Sequence, residues 1–217
     1  MLSIAAQAGV TAALALWVAA VVLWISRLVY TYAMSRGLND TISKYISRKT
    51  IHILGGGVTA AVVPVVYAQP WFPLASAIAI TGYLHYRRAK NIMSWFQEEN
   101  NAYEEHFALM WGLVILLSWL VVRNLTLGVV SAMFMSVGDG ITGIVRGLRG
   151  VRGKAWSGTL AMLATCVLIG FYYLGLSGAV GGAIASIAER VEGVDDNITV
   201  PIASFLAILL VRYLVHF

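Results

Sequence analysis

Asp139 is an acid where an apolar segment should continue. It stands between Gly138 and Gly140, after the apolar run from Leu125 to Val137, and the run resumes from Ile141 to Val145. Four cations follow, Arg146, Arg149, Arg152 and Lys154, interleaved with Gly147, Gly150 and Gly153. The stretch closes on Lys154-Ala-Trp-Ser157-Gly158-Thr159. A carboxylate, a pliant backbone and clustered positive charge beside a membrane segment suit a metal-bound phosphate. An acid at the centre of a bilayer helix costs about 2.5–3.5 kcal/mol on insertion scales, so Asp139 is expected to face the bundle interior and to meet a metal or a cation. Lys154, the Ser157 and Thr159 hydroxyls and the helix start behind them suit a triphosphate. The amides of Gly150 and Gly153 can approach phosphate oxygens. Gly140, Gly143 and Gly147 recur at helical spacing, which also suits close helix packing.

Two further groups carry chemistry. Arg48, Lys49 and His52 precede the triple glycine Gly55-Gly56-Gly57, and Lys49 and His52 share a helix face. Their expected role is to hold phosphate or to stabilise charge in a transition state. The second group is Glu189, Glu192, Asp195, Asp196 and Asn197. Asp196 and Asn197 are oxygen donors of the kind Mg²⁺ prefers, with Asp195 and Glu192 as further candidates. They also suit a helix cap, with Pro201 in the first turn behind them. His85 has no identifiable partner in the sequence, and the acids from Glu98 to Glu105 suit a solvated helix face.

The elements that must position these groups are membrane helices. Of the 217 residues, 59% are hydrophobic and 12% charged, and the mean hydropathy is +0.80. That composition excludes an ordinary soluble domain. A span needs roughly 20 apolar residues, so the expected fold is all-α, a polytopic membrane bundle of about eight (seven to eight) transmembrane helices in a single domain. The expected spans are 4–25, 51–68, 74–86, 107–122, 125–145, 158–175, 179–188 and 198–215. The first segment lacks a positive n-region and reads as a retained span. The lysines and arginines other than Arg123 and Arg212 fall in the segments after the first, third, fifth and seventh spans, which places these on the cytoplasmic face with both termini outside. The net charge of +5 is thereby a topology signal, and no nucleic-acid partner is expected. The single cysteine, Cys166, forms no internal disulfide.

Arg48-Lys49-x-x-His52, Gly138-Asp139-Gly140, Lys154-Ala-Trp-Ser-Gly158-Thr159 and Asp196-Asn197-x-x-x-Pro201, in this order, resemble the dolichol kinase / phytol kinase family of CTP-dependent polyprenol kinases, relatives of the phosphatidate cytidylyltransferases. The resemblance covers roughly residues 45–205. It implies transfer of the γ-phosphate of CTP to a long-chain isoprenoid alcohol with Mg²⁺ (or Mn²⁺). It further implies metal binding by Asp139, Asp196 and Asn197, and phosphate contacts from Arg48, Lys49, Gly138, Gly140, Arg146, Arg152, Lys154, Ser157, Gly158 and Thr159, with His52 orienting the γ-phosphate or the alcohol. Family members usually carry an acid where this chain has Ser157, and Glu189 or Glu192 is the candidate to supply it. The Pro-Gly-His-Gly-Gly signature of the cytidylyltransferases is absent, which disfavours that activity. The one-sided crowding of charge and the lack of an internal repeat disfavour a transporter for an anionic solute. The compact length favours a prokaryotic cell membrane with the site facing the cytoplasm.

Overall fold

A computed structural model describes residues 2–151 and 153–215. Among them there are helices and no strands. We number the helices α1 (Ile4–Ser35), α2 (Asp40–Val66), α3 (Trp71–Lys90), α4 (Tyr103–Val122), α5 (Thr126–Leu148), α6 (Trp156–Ala188) and α7 (Asp196–Val215). Local chemistry sets several starts. Asn39 accepts a hydrogen bond from the Ile42 amide at the head of α2, and Pro70 and Pro73 stand at the head of α3.

Six of these stretches are long and apolar enough to cross a membrane, where eight spans are expected from the sequence. The difference arises at two places. Helix α3 has the length, but Arg87, Arg88 and Lys90 crowd its last turn. The expected sixth and seventh spans fall within α6, as one helical stretch broken only at Gly175 (φ 61°, ψ −140°). That break is a fold-back. A Cβ on Gly170 would lie 2.0 Å from the Gly178 carbonyl oxygen, and one on Gly182 would lie 2.5 Å from the Cys166 carbonyl. The arms of α6 therefore run antiparallel, backbone against backbone, and glycine is required where they touch.

Helix α5 is the axis of the bundle: 78% of its apolar window is buried, against 6% for peripheral α1. Leu127, Val129, Val130 and Phe134 pack there against α2, α4, α6 and α7. Helices α2 and α5 each widen to π-helical spacing, at His52–Gly57 and at Phe134–Gly138. One extra residue in a turn rotates the rest of the helix by about 100°. These two widened turns touch each other. One begins with His52 and the other leads directly into Asp139, so both re-aim the polar residues of the bundle.

Candidate functional site

Lys49 extends from α2 across α5 to Asp139, with Nζ 2.5 Å from Oδ2. Its stem crosses α5 at Gly143, where a Cβ would lie 2.4 Å from the lysine Cγ. His52 is one turn further along α2. Its Nδ1 is 3.4 Å from the same Asp139 oxygen, outside hydrogen-bond geometry, and both ring nitrogens are buried without a hydrogen-bond partner. The ring stacks on Phe107 of α4, centroids 3.9 Å apart and planes 17° from parallel.

The fold-back of α6 returns the chain to the start of this region and delivers Glu189. Arg146 grips it with two hydrogen bonds, Nη1 to Oε1 at 2.7 Å and Nη2 to Oε2 at 3.0 Å. Both side chains are at most 2% exposed. The arginine lies flat on Gly158, whose Cβ would stand 2.4 Å from Nε. Lys154 closes the group from the loop before α6. It donates to Glu189 Oε1 at 3.0 Å, to the Glu189 carbonyl, and to Asp196 Oδ1 and Oδ2 at 2.8 and 2.7 Å. Burial pushes the Lys154 ammonium down, but its hydrogen bond to Asp196 and the charges of Asp196 and Glu189 hold it above the ordinary lysine value.

Asp139, Glu189 and Asp196 thus converge, with one carboxylate oxygen from each within 4.8 Å of the others. Three cations, Lys49, Arg146 and Lys154, pair with these three anions. Opposite charges in contact are the condition for keeping six ionised groups in a low-dielectric interior. Hard oxygen donors at this separation fit Mg²⁺ or Mn²⁺. A cation there would compete with the lysines and arginine for the carboxylates, and phosphate oxygens are the natural acceptors for the cations released.

In front of this cluster is a polar cavity of about 350 Å³, walled by Arg48, Lys49, Tyr103, Arg146, Lys154 and Asp196, among others. Arg48 lies between the rings of Tyr45 and Tyr103, 5.9 and 5.2 Å from their centroids, and its Nη1 is buried without a hydrogen bond. Asn197 donates to the Tyr103 carbonyl at 3.2 Å and to Asp195 at 2.8 Å, and its Oδ1 is buried without a donor. Buried polar atoms without a partner are uncommon, and a ligand in the cavity is one way to satisfy these two.

The remaining expected residues separate into cavity walls and packing surfaces. Glu192 lines the cavity but is exposed and outside the carboxylate group. Asp195 is engaged by His106 at 2.6 Å and caps α7. Gly153 borders the cavity, whereas Gly150 (φ +69°) forms an open turn away from it. Gly138 faces Cys166 and Gly140 faces Ile53, so both sit at close helix contacts. Gly158 is the bed of Arg146, and Thr159 accepts from Arg190 at 3.1 Å. Ser157 is half-buried beside them and outside the cavity wall. Arg152 lies outside the described residues. His85, without an assigned partner in the sequence, meets Glu105 at 3.0 Å. Glu189 was one acid among several in its segment, and only the α6 fold-back singles it out.

On the other side of His52 and Phe107 lies an apolar groove of about 470 Å³ between α1, α2, α3 and α4. Phe107 stands in its wall and carries His52 on its other face. Tyr103, in the wall of the polar cavity, is followed in sequence by Glu104, in the wall of the groove.

Comparison with protein-family models, curated proteins and solved structures returns no match.

Proposed function

We propose that this chain is a membrane enzyme that transfers the γ-phosphate of CTP to a long-chain isoprenoid alcohol. The observation that carries the reading is the convergence of Asp139, Glu189 and Asp196 with Lys49, Arg146 and Lys154, beside a groove fit for a lipid chain. Phosphoryl transfer requires positioning and charge neutralisation more than covalent chemistry from the protein. In this reading the three carboxylates hold Mg²⁺ or Mn²⁺, which neutralises charge on the transferring phosphate. Lys49, Arg146 and Lys154 turn from the carboxylates to the triphosphate, and Arg48 adds a contact at the cavity mouth. The alcohol oxygen forms the new O–P bond, the bond from the γ-phosphorus to the β–γ bridging oxygen breaks, and CDP leaves. The alcohol proton goes to a carboxylate of the cluster. His52, unpaired between groove and cluster, orients the reacting groups.

The same reading counts α3 and both arms of α6 as membrane passes, which makes eight. It puts the charged ends of α2–α7 on the cytoplasmic face of a prokaryotic cell membrane, with CTP arriving from water and the alcohol from the bilayer.

The test is incubation of the purified protein in lipid with Mg²⁺, isoprenoid alcohols and phosphatidic acid, using CTP labelled at the γ- or the α-phosphate. Label in lipid from γ-CTP alone supports the kinase. Transfer from α-CTP makes the protein a cytidylyltransferase, and failure to bind CTP at all removes the case for a phosphate site.

A further inference from the structure

Glu104 is the one charged residue among the described residues lining the apolar groove. Its carboxylate is oriented by neighbours. Oε1 accepts from Gln97 at 2.7 Å and from Arg88. Arg88 is itself fixed, donating to Glu105 Oε1 at 2.6 Å and to the Glu98 carbonyl at 2.7 Å. The other oxygen, Oε2, is buried and accepts no hydrogen bond from the described residues. A carboxylate oxygen left without a donor is costly, and a hydrogen bond to a charged acceptor is among the stronger ones. The groove threonines do not supply that donor. Thr59 donates to the Gly55 and Gly56 carbonyls, and Thr11 is bonded to the Gln7 carbonyl and to Tyr67.

We infer that Glu104 Oε2 is the anchor for the hydroxyl of a single-chain lipid alcohol whose tail fills this groove. The inference rests on the kinase reading for its place in the reaction, and it names the acceptor side of that site. Along α2 the groove runs from Ile51 to Val63, a rise of about 18 Å. That is somewhat more than half of the roughly 30 Å hydrocarbon core, so the groove takes a chain about one leaflet deep. Thr11 and Tyr67, joined at 2.7 Å, stand at the end away from Glu104. An alcohol is the complementary headgroup. It offers one donor to Oε2 and carries no charge into an otherwise apolar wall, whereas an anionic lipid would face the carboxylate. Tyr103 and Phe107, on either side of Glu104 in sequence, place the bound hydroxyl next to the polar cavity and His52.

The experiment measures binding without nucleotide, on the full chain in lipid nanodiscs, with geranylgeraniol and its methyl ether as probes. The ether keeps the chain and loses the donor. The wild type is expected to bind the alcohol at least about tenfold more tightly than the ether. Glu104→Gln, which replaces the charged acceptor with an amide, is expected to abolish that preference. Ala15→Trp, on the lipid-facing helix α1, fills the groove and is expected to weaken both probes about tenfold while CTP binding is unchanged. Equal wild-type affinity for alcohol and ether overturns the inference, even if Glu104→Gln does not fold. So does a Glu104→Gln protein that retains the preference, or an Ala15→Trp protein that binds both probes normally. If the alcohol binds as described and no phosphate is transferred, the kinase reading fails and the groove assignment stands. If transfer occurs with no dependence on Glu104, the reverse holds.

Discussion

Arg146→Met isolates the energetics of the buried ion cluster. The substitution keeps an apolar stem of similar length over Gly158 and removes both hydrogen bonds to Glu189. Among the described residues Glu189, fully buried, then retains Lys154 as its cationic partner, at 3.0 Å. Breaking a buried pair from one side costs about 3–5 kcal/mol, and the surviving lysine contact points to the lower end, about 3 kcal/mol. For a chain of this size each kcal/mol moves Tm by about 2–4 °C, so the expected loss is about 6–12 °C. The assay is built into the sequence. Cys166 is the single cysteine and is fully buried, so a thiol-reactive fluorophore reports its uncovering during a thermal ramp. The double variant Arg146→Met/Glu189→Leu removes both charges and is expected to regain most of the loss. An Arg146→Met protein that melts within about 2 °C of the wild type, a shift of about 0.5–1 kcal/mol, would refute the reasoning. So would a double variant that loses as much as the two single changes together.

Other outcomes rest on the same geometry. Asp139→Asn takes away the partner of Lys49 and one of the three carboxylates proposed to hold the metal, and in the kinase reading is expected to lower phosphate transfer by at least about 10²–10³ while CTP binding stays within a few-fold, measured by turnover and equilibrium binding. Because anions and cations in the cluster pair off, Mg²⁺ alone and CTP alone should each raise Tm little. Together, at about 100 times Kd, they should stabilise by about 2.7 kcal/mol, and chelation should reverse the gain. Gly170→Ala would place a Cβ 2.0 Å from the Gly178 carbonyl and force the arms of α6 apart, at a cost of about 1–3 kcal/mol in the thiol-uncovering melt. Gly82→Ala, with nothing within 4 Å of its added Cβ, should be neutral or slightly stabilising.

Much of the cluster could be read from the sequence because charge is so scarce in apolar helices. Asp139 had to find a partner, and Lys49, Arg146 and Lys154 were among the cations that the charge pattern put on its face. Glu189 could not be separated from its acidic neighbours, since its position depends on how closely two arms of one helix approach at Gly170, Gly178 and Gly182. The π-helical turns that aim His52 and Asp139 leave no hydropathy signal. The flanking glycines were ambiguous for the same reason. A glycine that admits a phosphate and one that admits Ile53 or a cysteine look alike until packing is known. Glu104 looked like part of a solvated face, and only the groove behind it and the grip of Arg88 show otherwise.

The second arm of α6 has a thermodynamic consequence. Residues 176–188 rise only about 20 Å, some 10 Å less than the hydrocarbon thickness. If this arm crosses with its Gly175 turn at the far boundary, as the kinase reading has it, Glu189 and its partners would sit below the headgroups on the near side. For a neutral alcohol that depth costs little. A phosphate monoester made there is a dianion in a place where charge is expensive. In that reading the reaction would change the preferred depth of its own substrate, and hydration at the surface would draw the product out along the wall the alcohol came in by.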